Sequence, residues 1–430
     1  MTQLSICIII FVISLVLYAT NIIPMGITSL ISMAALVVTG CLDGKAALSG
    51  FANTNTVVIV GMFVVAAGFN RTSFVDKMSK AIVKVSRGSF MTAYAGYLLL
   101  AVLLTNFLPS PMTVFAIVSP LLASSCEELK VSPSKVMFAL CVVCVGCCGI
   151  LPFGYAITTA SQNNGFFVEF GFTDVSMTAM DILLTRWPMI ILIFVWALFL
   201  APKTAPAQPV VPISGITGNA GKKEKKPLPP LAETMGVVIF FGVILLMIFG
   251  SALNIPNWQV CFIGALLTVI FGVQTEKEAI SAMPISIACL YVGALGMGSA
   301  LTATGAGEVM GNVLAKMVGH TTNSYVLCGL FFIIPFILTQ FMMNQGVMNV
   351  FRPICLLTCS ALGANPICPM IMVTAGSLTA FLTPMATPAV PMAMGMGGYD
   401  VKSLFKQGWL ITLLLTIGYV LYSATVLPAF

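Results

Sequence analysis

The sequence predicts an all-α, polytopic membrane protein of two inverted repeats, with about ten transmembrane helices and two re-entrant hairpins. Three observations carry that prediction. Of 430 residues, 59% are hydrophobic and only 7% charged, where soluble domains carry about a quarter. With a mean hydropathy of +1.06, the apolar runs are continuous. They suit helices of about 20 residues crossing a roughly 30 Å hydrocarbon core, and not the alternating strands of an outer-membrane barrel. Finally, the second half of the chain repeats the first.

Taken in order, apolar segments fall near residues 4–20, 25–42, 56–70, 91–124, 134–160, 187–201, 235–253, 259–273, 286–302, 324–362, 367–398 and 408–428. No Lys or Arg precedes the first run, so it reads as a span and not as a cleavable signal peptide. The runs at 91–124 and 324–362 are too long for one span, and each is interrupted, by LPSP at 108–111 and by NQG at 344–346. Such breaks predict two half-length arms meeting at a tip, which a membrane tolerates only where backbone is buried in protein or faces a water-filled cavity. LPFGYAITT at 151–159 and LTPMATPAVPMAMGMGG at 382–398 read as further unwound segments. Residues 202–232 are rich in Pro, Gly and Lys without apolar period, a flexible cytoplasmic linker between repeats at 1–201 and 233–430.

The repeat is read from an internal match. Val60 to Met78 lies on Val292 to Met310, and at nearly the same offset Thr105, Asn106 and Phe107 fall on Thr339, Gln340 and Phe341, just before the two breaks. Arg71, Lys77, Lys80, Lys84 and Arg87 follow the first copy, whereas Lys316 and His320 alone follow the second. Positive charge marks the cytoplasmic side, so the copies lie inverted. Lys203, Lys222, Lys223, Lys225, Lys226, Lys402 and Lys406 then fall inside, with Glu169, Asp174 and Asp181 outside.

Composition also excludes function classes. The net charge of +6 is scattered over loops with no aromatic-interleaved basic domain, so no nucleic-acid partner is expected. Most of the thirteen Cys lie in apolar stretches, and Cys141, Cys144, Cys147 and Cys148 read as packing residues. With one His, His320, the chain offers no clustered constellation for an intramembrane enzyme. Channel filters are expected to repeat around a symmetric pore, which an inverted pair does not do. What broken hairpins do supply is helix N-termini and freed carbonyls, the parts that hold an anion and a small cation together. Every Asp and Glu can be placed in a loop or at a span end, which favours sodium over a proton relay. Arg352, eight residues beyond Asn344, is expected to snorkel toward the outer surface, with attraction of an anion as its alternative role.

GFANTNTVVIVGMFVVAAGF at 50–69, VSPSKVM at 131–137 and ATPAVPMAMGMGGYDVKSLFKQG at 386–408 carry a family likeness that runs through the whole chain. The chain resembles the divalent anion/sodium symporters of the ion transporter superfamily, which move dicarboxylates, citrate or sulfate. The resemblance implies a scaffold domain and a moving transport domain, each formed from both repeats, a homodimer and elevator-type alternating access. It also implies a Ser-Asn-Thr signature on each tip with a Ser or Thr four residues earlier. Thr105 and Thr339 keep that earlier hydroxyl; Met343, Asn344 and Gln345 take the signature's places on the second tip, and Pro109, Ser110 and Pro111 on the first. After the tips, Gly154 and Tyr155 stand where the family has a Gly followed by a small polar residue, and Ala386, Thr387 and Pro388 match the second copy.

The expected sodium ligands are thus Thr105, Ser110, Gly154, Thr339, Asn344 and Ala386, the second site being the more intact. The expected anion ligands are Ser110, Thr113, Gly154, Tyr155, Asn344, Gln345, Thr387 and Pro388. The expectation is a multi-pass secondary active transporter of the inner or plasma membrane. It would move a small organic anion, di- or tricarboxylate-like, with sodium as coupling ion and no other cofactor. A sodium-independent anion exchanger and a cation/proton antiporter are the alternatives.

Overall fold

A computed structural model describes every residue except 1, 21, 75–76, 78–88, 109, 214–227, 250–254, 308, 311–321, 342 and 385. Pro109, Lys80, Lys84, Arg87, Lys316, His320 and Lys222 to Lys226 therefore lie outside the described residues. The described residues are helical, without strands.

The first half contains α1 (Gln3–Thr20), α2 (Met25–Val38), the short α3 (Gly44–Ser49), α4 (Thr54–Arg71), hairpin arms α5 (Phe90–Phe107) and α6 (Pro111–Glu128), α7 (Met137–Gly146), α8 (Gly154–Glu169) and α9 (Ala179–Val195). A π turn, Trp196–Leu200, carries α9 on to Thr204. The second half gives the same elements in the same order: α10 (Pro230–Phe249), α11 (Asn257–Ile270), α12 (Glu276–Ala282), α13 (Ile285–Ala303), α14 (Ser324–Thr339), α15 (Asn344–Leu362), α16 (Ile367–Leu378), α17 (Ala389–Gly397) and α18 (Val401–Gly418), again with a π turn, Tyr419–Ser423. Local chemistry starts several of them. Thr178 with Asp181 and Thr275 with Glu278 form capping boxes on α9 and α12, and the Asp400 carboxylate caps α18.

Packing shows both the symmetry and the inversion. α13 lies along α2 where Gly293 meets the backbone of Ser29, and α11 lies along α4 where Gly61 meets the backbone of Cys261. A Cβ on Gly293 would come within 2.7 Å of the Ser29 carbonyl oxygen, and one on Gly61 within 2.9 Å of that of Cys261. Gly61 and Gly293 occupy matched places in the internal repeat, so the two contacts are one contact made twice, through the small residues that close helix approach needs. Direction follows from α8. Along α8, α4 places Met62 at Gly154 and Asn55 at Gly165, whereas α13 places Tyr291 at Gly165 and Gly298 at Phe170. The equivalent helices α4 and α13 therefore run past α8 in opposite directions.

Six helical stretches are long and apolar enough to cross a membrane, and shorter apolar helices accompany them. Several expectations need correction. The hairpin arms are not half-length: they hold 18, 18, 16 and 19 residues, about 24–29 Å at 1.5 Å per residue. Their faces are covered by neighbouring helices, α14 along α16 for example, so protein packing and not lipid depth sets their length. NQG is not the second break; the chain leaves the helix after Thr339 and re-enters it at Asn344, making NQG the first turn of α15. The two later breaks are also displaced, to 147–153 and 379–388, with Gly154–Thr159 helical. Part of the 202–232 segment is docked: the Val210 and Val211 amides donate to the Gly398 carbonyl, and the Ser134 hydroxyl donates to that of Pro206.

Candidate functional site

Each hairpin tip leans on the break that follows it, and the two copies do so alike. In the first, the Thr105 hydroxyl donates to the Cys144 carbonyl (2.6 Å), and the Asn106 amide oxygen accepts from the Ile150 and Leu151 amides (2.7 and 2.8 Å). In the second, the Thr339 hydroxyl faces the Ser377 carbonyl (2.8 Å), and the Gln340 amide oxygen accepts from the Leu382 amide (3.1 Å) while its nitrogen donates to the Thr379 carbonyl (2.9 Å). Thr383 donates to the Gln340 carbonyl. Asn106 and Gln340 thus satisfy backbone that unwinding leaves bare, as burial demands.

The two tips then meet through α8. The Tyr155 hydroxyl accepts from the Gln345 side chain (3.5 Å), and Tyr155 packs with Cys148, Met348 and Leu378. The start of α8 also touches the first tip, since a Cβ on Gly154 would lie 3.1 Å from the Phe107 carbonyl oxygen. Gly149 is required where it stands: its φ is +61°, and a Cβ there would come within 2.3 Å of the Tyr155 ring. No side chain caps the N-termini of α8, α15 or α17, so their amides stay open to an anion. α6 differs, because Ser110 accepts from the Thr113 amide (3.3 Å) and hydroxyl (3.0 Å).

The expected residues divide accordingly. Thr105 and Gly154 sit at the first break, Thr339 and Asn344 at the second, and Tyr155 and Gln345 join the two. Ser110 and Thr113 bond each other, and among the described residues no hydrogen bond ties them to the second tip. Ala386 and Thr387 are buried in the 379–388 loop, while Pro388 is exposed at the start of α17.

At the second tip one proton is shared among too many oxygens. Thr339 Oγ1 lies 3.0 Å from Asn344 Oδ1 and 2.8 Å from the Ser377 carbonyl, and a hydroxyl donates only once. The buried Ser377 hydroxyl has no partner at all. Such a cluster of hard, surplus oxygens suits a small alkali cation.

Two buried arginines complete the site. Arg352 does not snorkel, contrary to expectation: it is 1% exposed, with its guanidinium 5.7 Å over the Phe166 ring, 3.8 Å from Met348 Sδ and near Tyr155 and Tyr291. Helical side chains point back toward the N-terminus, and α8 and α13 close over this one. Its Nε has no partner, nor has Asn349 Oδ1 one turn away. Arg186 on α9, equally buried, donates to the Cys148 and Gly149 carbonyls and to the Tyr419 hydroxyl. Among the described residues neither arginine has a carboxylate partner. Sequence reasoning missed Arg186, Asn106, Gln340 and Ser377. Only the Asn106/Gln340 pair left a trace, at matched offsets in the repeat.

A multi-pass membrane protein with inverted repeats and its polar groups gathered at paired helix breaks is a transporter, not an enzyme. It belongs to the citrate transporter family, CitMHS, which residues 15–375 match. The chain is 22% identical over 423 residues to an uncharacterized transporter of Haemophilus influenzae, covering 95% of this chain and 89% of that one. It is 26% identical over 165 residues to an uncharacterized transporter of Synechocystis sp., and 23% identical over 145 to rat solute carrier family 13 member 2. These matches cover 38% and 33% of this chain, but only 26% and 24% of the relatives. Its fold is that of the Alcanivorax borkumensis YdaH transporter (TM-score 0.59, 14% identity, 90% and 86% coverage) and of Neisseria gonorrhoeae MtrF (TM-score 0.58, 14% identity, 98% and 94% coverage). Family and fold make it a multi-pass protein of the inner or plasma membrane.

Proposed function

We propose that this chain is a sodium-coupled symporter of a small organic anion, di- or tricarboxylate-like. The observation that carries this reading is the single Thr339 proton facing both the Asn344 amide oxygen and the Ser377 carbonyl oxygen, a few turns from the buried Arg352 guanidinium, which no described carboxylate neutralises. Sodium takes the oxygens; the anion takes the open N-terminus of α15, Gln345, Tyr155 and the positive field of Arg352 and the bound ion. The ten acidic residues described all lie at helix ends or in loops, which supports sodium over a carboxylate-bound proton as the coupling ion.

The packing supports an elevator. α1, α2, α4 and α10 to α13 form one group with members from both repeats, to be read as the scaffold. The hairpins with α7, α9, α16, α17 and α18 form the other, to be read as the moving body that carries both tips, and α8 packs against both groups. The reading includes a homodimer through the scaffold. The test is uptake of radiolabelled citrate and succinate into proteoliposomes with an inward sodium gradient, then with choline in its place. Sodium-driven accumulation is expected. Equal uptake in choline would instead support an exchanger, and uptake driven by a pH gradient an antiporter-type mechanism.

A further inference from the structure

The two breaks share one hydrogen-bond plan and differ in two positions, both of which change how a cation would be held. The Thr339 hydroxyl is answered by the Ser377 carbonyl, and the matching Thr105 hydroxyl by the Cys144 carbonyl. Where the second break offers a buried, unpartnered hydroxyl, the first sets the Cys148 thiol against Thr105, a soft group that sodium avoids. The second difference is a charge. Arg186 places its NH1 3.3 Å from the Gly149 carbonyl oxygen and its NH2 3.4 Å from that of Cys148. Aligning Trp187 on Trp409 puts Gly408 in the matching place of α18, where a Cβ would lie 2.5 Å from Leu382 of the second break. The first break is filled by a guanidinium at the point where the second has no side chain.

We infer that Arg186 is a resident cation that occupies the first break in place of a metal ion, leaving the second break as the one exchangeable sodium site of each chain. Oxygens freed by unwinding need a positive partner, and here the two copies obtain it differently. Arg186 is buried, has no carboxylate partner among the described residues, and uses all three nitrogens on the break and on Tyr419. Its charge stays with the protein throughout the cycle. It helps hold an anion but carries no gradient energy, since nothing is released from it.

This inference rests on the sodium reading above, and the test separates the two. Equilibrium binding of radioactive sodium to the purified full chain in detergent should saturate at one ion per chain with a Hill coefficient of about 1. Thr339→Val should weaken binding of that ion about 10- to 100-fold, and Arg186→Lys should leave the count at one. The double variant Arg186→Gln with Cys148→Ser, which gives the first break the character of the second, should raise the count to two. Two ions on the wild type would overturn the inference while leaving sodium coupling in place. No ion on the wild type would overturn the sodium reading itself. A folded double variant that still binds one ion would reduce Arg186 to a packing residue; if that variant does not fold, the wild-type count and the Thr339→Val weakening decide.

Discussion

Replacing Arg352 with Met separates recognition of an anion from stability, because the two should move in opposite directions. The guanidinium reaches back to Met348, one turn beyond Asn344, so it sits about 6 Å along the axis from the open end of α15, at 1.5 Å per residue. Two unit charges roughly 7 Å apart at an effective dielectric constant of about 20 attract by about 2 kcal/mol, or about 30-fold in affinity. Met fills similar volume, and it removes a buried charge that has no carboxylate partner among the described residues, which is costly to keep in an apolar interior. The KM for citrate or succinate in proteoliposomes should rise about 30-fold, while the melting temperature in detergent holds or increases. An unchanged KM with a raised melting temperature would refute the electrostatic argument and leave Arg352 as a group buried for packing against Phe166.

Four further outcomes are expected. Asn344→Ala should abolish sodium-stimulated uptake with an unchanged melting profile, as it deletes an oxygen ligand without opening a large cavity; normal sodium dependence would count against the second tip. Thr339→Val should weaken sodium activation about 10- to 100-fold, the worth of one polar contact to a charged group, and more than Thr105→Val does; equal effects would reject the ranking of the two breaks. Gly376→Ala drives a Cβ to 2.3 Å from the Phe332 carbonyl oxygen and should cost about 1–3 kcal/mol through overpacking, whereas Gly242→Ala, with nothing within 4 Å, should be neutral in thermal melts. The Thr275 amide, then its hydroxyl and Arg71, hold the Glu278 carboxyl below its ordinary range. Its small contribution is therefore present above the unfolded-state pKa and lost as pH falls through the lower folded value, and Glu278→Gln should flatten that acid limb of a melting-temperature profile.

How much of this was legible depended on whether a feature was local. The first break announces itself, because Pro109 and Pro111 cannot continue α5. The second contains no Pro or Gly at 340–343, and only its offset from Thr105 locates it. The repeat was readable as Val60 on Val292, and its structural meaning, Gly61 on Cys261 answering Gly293 on Ser29, follows from the same alignment. Arg352 was misread for a physical reason: a lone arginine in an apolar helix near a membrane surface ordinarily reaches for water. What prevents it is Phe166 on α8 and Tyr291 on α13, far away in sequence. Arg186 stands one residue before the apolar run at 187–201, and its partners, the carbonyls of Cys148 and Gly149, exist as acceptors only because α7 unwinds there. The 202–232 segment has the composition of a linker, yet Pro206 to Val211 lie against Ser134 and Gly398.

The divergence of the two breaks bears on how a duplicated fold couples its cargo to a gradient. Identical breaks would make two equivalent cation sites, and each sodium crossing a membrane potential of 100 mV brings about 2.3 kcal/mol. A guanidinium fixed to the protein brings none, because whatever path it takes through the field it retraces on return. Exchanging sodium for arginine at one break therefore trades driving force for a permanent positive charge that is present at any sodium concentration. Cys148 against Ser377 and Arg186 against Gly408 are enough to make that exchange, with the hydrogen-bond plan of Thr105, Asn106, Thr339 and Gln340 left intact in both copies. A carrier so built retains anion affinity when sodium is scarce and accumulates its substrate less steeply when sodium is abundant. The steady-state accumulation ratio in proteoliposomes should accordingly scale with the first power of the sodium gradient, and a second-power dependence would mean that the first break also exchanges an ion.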